Sequence, residues 1–166
     1  MTYKIILLLL IVFAVQDNPP PPWARFEAAG FSVLMPGKPV ETVDTRATYT
    51  LHSFAVTLGR GTYVTSYSDY AAGIKLDPIS ALTANRDKFN KGLQAKLLSS
   101  RNITLGEHSG LEFTSETPAA NVKSQLFLVG NRMYQTATFV FKDVDETRNV
   151  DRFFDSFQLK PYVIMR

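Results

Sequence analysis

The stretch VKSQLFLVGNRMYQTATFVF, residues 122–141, has two alternating arms around Gly130-Asn131. Leu126 and Leu128 share one face of the first arm. In the second arm Met133, Ala137, Phe139 and Phe141 share one face, with Tyr134, Thr136 and Thr138 opposite. Successive side chains of a strand point to opposite sides, so each arm has an apolar side to bury. Glycine enters positive φ without steric penalty, and Gly-Asn suits a two-residue reversal. These residues therefore predict a β-hairpin, and with it an antiparallel sheet joined by tight turns.

The same grammar extends upstream. SRNITL (100–105) and GLEFTSE (110–116) read as strands separated by a turn from Gly106 to Gly110. ATYTLHSFAVTLGRGTYVTSYSDY (47–70) is a second hairpin, folded at Leu58-Gly59-Arg60-Gly61, where Gly59 and Gly61 are both candidates for positive φ. His52, Phe54, Val56 and Leu58 share one face of its first arm, and Tyr63, Thr65 and Tyr67 one face of its second. FSVLMPGKPV adds a short strand, Phe31 to Met35, stopped by Pro36-Gly37.

Two segments switch to helical spacing. Asp77 suits an N-cap and Pro78 a first turn, after which Ile79, Leu82, Phe89, Leu93 and Leu97 form one apolar stripe. Arg86, Lys88, Lys91 and Lys96 fall largely off that stripe and read as a solvated basic face. Near the C-terminus Asp143 and Glu146 have the spacing of a capping box. Val150, Phe153, Phe154 and Phe157 follow at i, i+3, i+4 and i+7, with Arg148, Asp151, Arg152 and Asp155 elsewhere. That mixed polar face argues for a helix closing a core rather than one lying on a membrane. The sum is an α+β protein: an antiparallel sheet of about six strands flanked by helices.

The N-terminus has a different character. Lys4 precedes an unbroken apolar run, Ile5 to Val15, and eleven helical residues reach about 16 Å, half of a hydrocarbon core. Residues 1–15 match a secretory signal peptide or N-terminal anchor, with Val12-Phe13-Ala14 as a cleavage site. Residues 16–22, QDNPPPP, form a stiff linker, and residues 23–166 a single domain. The expected location is outside the cytoplasm, periplasmic or extracellular, or held to a membrane by residues 5–15 if that segment is retained.

Chemistry is sparse. Cysteine is absent, which excludes disulfides, thiol nucleophiles and the cysteine that a bacterial lipid anchor requires. His52 lies mid-strand, and His108 stands in a polar turn with Glu107 and Ser109. There is no Gly-x-Ser-x-Gly elbow, His-Glu-x-x-His, phosphate loop, dinucleotide fingerprint or EF-hand loop. Asp143, Asp145 and Glu146 are explained by a helix start. Asn102-Ile103-Thr104 fits a glycosylation sequon. Tyr63, Tyr67, Tyr70 and Tyr134 belong on sheet faces or edges. Arg101 and Arg132, near strand ends, are either local ion-pair partners or contacts for an anionic group. The formal charge of +3 carries no long basic cluster, so nucleic acid is not an expected partner. No catalytic, metal or cofactor residue is assigned.

FSVLMPGKP, YVTSYSDY, GLEFTSE, FLVGNRMYQ and RFFDSFQL, in this order about an amphipathic helix, resemble small exported bacterial proteins of the PsbP-like type. The resemblance spans about Phe26 to Leu159 and rests on apolar and turn positions. It implies an α/β/α sandwich, shared with PsbP subunits and Ran-binding Mog proteins, and no conserved enzyme site. The expected function is that of a non-enzymatic adaptor or accessory protein docking onto an envelope protein or assembly. The alternative is a carrier holding a small apolar ligand between the sheet and the Phe153–Phe157 helix.

Overall fold

The hairpin of residues 122–141 forms the middle of the molecule. A computed structural model describes residues 22–160, so the expected signal and most of the linker lie outside the described residues. β1 (Ala24–Ala28), β2 (Phe31–Met35), β3 (Val40–Thr45), β4 (Tyr49–Leu58) and β5 (Gly61–Tyr70) precede α1 (Pro78–Leu93). β6 (Lys96–Leu105), β7 (His108–Glu116), β8 (Ala120–Val129) and β9 (Arg132–Phe141) then lead to α2 (Thr147–Asp155) and β10 (Gln158–Leu159).

Seven strands make one antiparallel sheet in the order β3-β4-β5-β9-β8-β7-β6, and three make a second in the order β1-β2-β10. The protein is thus mainly β, with ten described strands in two sheets rather than about six in one. The strands missing from the sequence reading are β1, β3 and β10. β3 is exposed along nearly its whole length and β10 has two residues, so neither carries a buried alternating face to betray it. Their hydrogen bonds depend on a partner strand, β4 for β3 and β2 for β10.

The three tight hairpin turns Gly59-Arg60, Gly106-Glu107 and Gly130-Asn131 open on glycines at φ +57°, +60° and +58°. Gly61 does not share that conformation; it begins β5, and a Cβ there would meet the Tyr63 ring at 3.3 Å. The turn before β7 is likewise shorter than expected, which places His108 in the strand opposite Leu105.

α1 starts where the sequence pattern places it but ends earlier, and α2 differs at both ends. Asp77 caps α1 by accepting from the Ser80 amide at 2.9 Å, as its chemistry suggested. The helix stops at Leu93, where Gln94 takes the left-handed conformation at φ 53°. Leu97 and Lys96 therefore belong to β6, and Ile79 is 71% exposed, so the buried stripe is shorter than predicted. α2 begins at Thr147, whose amide bonds Asp145 Oδ1 at 2.9 Å. No capping box forms: Asp143 pairs with Arg60, and Glu146 accepts from Asn149. Phe157 lies past the helix end yet is buried, stacked on Phe127 with ring centroids 5.8 Å apart.

The large sheet is covered on one face and partly covered on the other. One carries α2 and the small sheet over a cluster of Phe31, Val33, Met35, Phe54, Tyr63 and Tyr67, closed by Phe127, Tyr134, Phe153, Phe154 and Phe157. The other carries α1 over Leu82, Leu111, Phe113, Leu126, Leu128 and Met133. Deleting a ring as large as fully buried Phe153 costs about 3–5 kcal/mol, so this terminal segment is part of the core.

Candidate functional site

Arg132, which the sequence offered as an anion contact or a local partner, opens β9 opposite Asp69 of β5. Its guanidinium grips Asp69 with two parallel bonds, Nε to Oδ1 at 2.5 Å and Nη2 to Oδ2 at 2.7 Å. Nη1 donates to the Ala29 carbonyl at 2.8 Å, and the cation lies 4.5 Å from the Tyr67 ring centre. Forked geometry and ring stacking are what distinguish arginine from lysine. Arg132 is 8% exposed and ties the large sheet to the β1–β2 turn, so it acts as a latch between the two sheets.

Arg101 remains largely exposed and donates Nε to Glu112 Oε1 at 2.7 Å. Glu112 also accepts from Gln125 Nε2 at 2.8 Å, with Lys123 Nζ 3.9 Å away. Burial pushes its carboxyl up, but the bonds from Gln125 and Arg101 and the two neighbouring cations outweigh that and hold it below the usual glutamate value. Register continues this polar row through Gln125 to Thr136 and Thr65. The hydroxyls of both threonines are buried, with no hydrogen-bond partner among the described residues.

The two histidines stand on separate elements. His52 Nδ1 is 3.0 Å from Glu41 Oε1, and its ring stacks on Tyr67 with centroids 4.6 Å apart. His108 is half-buried at the rim of a cavity of about 650 Å³, with Asn131, Tyr134 and Lys160. Of the four tyrosines singled out, Tyr63, Tyr67 and Tyr134 are core residues and Tyr70 is half-buried. Burial first, then the adjacent Glu146 carboxylate, raises the Tyr63 phenol far above its ordinary value. Among the described residues no three of His, Asp and Glu converge as a metal site. The three phenylalanines named for the carrier reading pack against one another, Phe31 and Phe127. None of them lines the cavities at the sheet rims or beside the helices.

Sequence reading missed the partners: Asp69 for Arg132, Glu112 for Arg101, and buried Asn90, which accepts from Ser115 at 2.8 Å. Glu112 falls on the other arm of the same hairpin as Arg101 and was within reach of a register argument. Asp69 was not, because β5 and β9 are neighbours only through the sheet order.

A more extended surface lies on the α1 side of the large sheet. α1 packs on β7 and β8, with Phe89 reaching Phe139 of β9 at 6.0 Å. Along the same face β3, β4 and β5 present Val40, Thr42, Ala55, Thr57, Thr62 and Val64, none of them buried. Between this area and α1 runs a groove of about 520 Å³ lined by Tyr49, Leu51, Ser68, Asn85, Lys88 and Phe89. Small and β-branched side chains make the open part flat. Among the described residues no helix is long and apolar enough to cross a membrane.

No family model matches the chain, and no curated protein does. Among solved structures it is similar to the solution structure of cyanobacterial PsbP (CyanoP) from Synechocystis sp. PCC 6803, at a TM-score of 0.61 and 10% identity. The match covers 90% of this chain and 99% of that one. The fold is PsbP-like. At that identity the likeness concerns architecture.

Proposed function

We propose that the protein is an exported, non-enzymatic adaptor or accessory domain that docks onto a larger protein of the cell envelope. The observation that carries this reading is the half-covered face of the large sheet: α1 occupies β7 and β8, while β3 to β5 present a flat surface of small residues beside a groove. A flat face suits a protein partner better than a small substrate, which favours an enclosed pocket with convergent polar groups. The reactive side chains fit the same picture. Arg132, Arg101 and His52 each already hold a carboxylate. The apolar run of residues 5–15 supports export.

Crosslinking and affinity capture from the native cells tests the reading. Ala55→Arg and Val64→Arg place a charge on the open face and are expected to remove a stoichiometric envelope partner, while Asp155→Arg on α2 retains it. Turnover of a small substrate, abolished by one point substitution, would overturn the proposal.

A further inference from the structure

Among the described residues, the two free edges of the seven-stranded sheet are β3 and β6. Six large apolar side chains among the described residues stand most open to solvent; Val40, Val43, Leu97 and Leu98 lie on these two strands, and Ile79 and Phe141 elsewhere. An edge strand presents unpaired backbone donors and acceptors, so apolar residues there leave it competent to gain a neighbour. The two edges also differ in charge. β3 carries Glu41 and Asp44 with no basic residue inside the strand, whereas β6 carries Lys96 and Arg101 with no acidic one.

Direction and spacing agree as well. Every neighbouring pair across the sheet is antiparallel, and an even number of reversals separates β3 from β6, so the two edges run the same way. Glu41 and Val43 register with Phe54 and His52, on the face that carries the small sheet. Lys96 registers with Glu116, on that same face. Leu98, displaced by the irregularity between Leu97 and Ser99, lines a cavity with Thr114 and Lys123 on that side too. Glu41-x-Val43 and Lys96-x-Leu98 are therefore equally spaced, similarly directed and on one face.

We infer that a second copy of this chain is the occupant of each edge. β3 of one molecule adds in parallel to β6 of the next, with Glu41 against Lys96 and Val43 against Leu98. Like edges do not serve this purpose: β6 on β6 sets Lys96 and Arg101 against cations, and β3 on β3 sets carboxylates against each other. A contact between different edges leaves one β3 and one β6 free, so the array is head-to-tail and open. Glu41 and Lys96 each have a local partner, His52 at 3.0 Å and Glu116 at 3.9 Å, and six residues of edge make a small interface. The association is accordingly weak, salt-sensitive and dependent on concentration.

Sedimentation velocity on the protein as its host produces it, from micromolar to millimolar concentration, tests this. The mean mass is expected to rise past that of a dimer without a plateau, and to fall when salt is added. Glu41→Lys and Lys96→Glu are each expected to weaken association about tenfold. An equimolar mixture of the two variants, or the doubly reversed protein, is expected to restore it. Unchanged far-UV circular dichroism and melting temperature would show that the exposed substitutions leave the fold intact. A monomer at every concentration, a closed dimer that does not grow, or association indifferent to both reversals would overturn the inference. So would occupation of β6 by a foreign envelope chain in place of β3. The open-face variants Ala55→Arg and Val64→Arg do not touch either contact pair, so failure here and failure of the docking reading are separable.

Discussion

Arg132 carries the clearest single-residue consequence. Its guanidinium is nearly buried, and it satisfies Asp69 and the Ala29 carbonyl together. Arg132→Met removes three donors, from the half-exposed Asp69 carboxylate and from the Ala29 carbonyl at the sheet junction. It is expected to destabilise by about 1–3 kcal/mol, read as a lower urea midpoint at unchanged slope. Arg132→Lys keeps the charge without the fork and is expected to fall between the variant and the parent. The sequence offered Arg132, near a strand end, as a local ion-pair partner or an anion contact, and placed Tyr134 on a sheet face or edge. Both are buried, since the register opposite β5 places them beneath the β1–β2 turn, a position no local pattern encodes.

At the scale of elements, the end of α1 and the polar row beneath α2 make opposite demands. Gln94 closes α1 in the left-handed region, where a Cβ is strained and glycine is favoured. Gln94→Gly is expected to stabilise by roughly 1 kcal/mol, measurable by thermal melting. The row through Glu112 gives a pH signature. Its carboxyl is held below the ordinary glutamate value, so folding gains from the ionised form. That gain is fully present above the unfolded value, about 4.3, and is lost as pH falls through the lower folded value. Glu112→Gln is expected to flatten this acid limb of the stability curve, checked by urea titrations in steps below neutrality. An equally steep limb in the variant would assign acid sensitivity to other carboxylates.

For the whole molecule, the arrangement of the two clusters sets where the fold opens first. β5, β9 and β8 lie in the middle of the large sheet, and they supply Tyr63, Tyr67, Tyr134, Phe127, Leu126 and Met133 to the cores on its two faces. β3 and β6 have one neighbour each and mostly exposed side chains. Native-state hydrogen exchange is therefore expected to show the slowest amides in β5, β8 and β9 and the fastest strand amides in β3. Protection of β3 and β6 that rises with protein concentration would follow from edge-to-edge association. Equal protection of edge and central strands at high dilution would contradict this layout.

The sequence by itself determined the hairpins, the existence of both helices and the burial of Phe153, Phe154 and Phe157. These are local matters: side-chain alternation, turn glycines, the Asp77 cap and helical spacing all act within a few residues. Tertiary structure alone decided the rest. It recruited β1, β3 and β10 through backbone bonds to partner strands, ended α1 before Leu97, and turned Arg132 inward to Asp69. It also left the β3–β5 face bare while covering β7 and β8. The physical reason is that an exposed strand and an ion pair across non-consecutive strands are stabilised by neighbours far along the chain. Hydrophobic periodicity reports only which side of an element must leave water, and not which element will cover it.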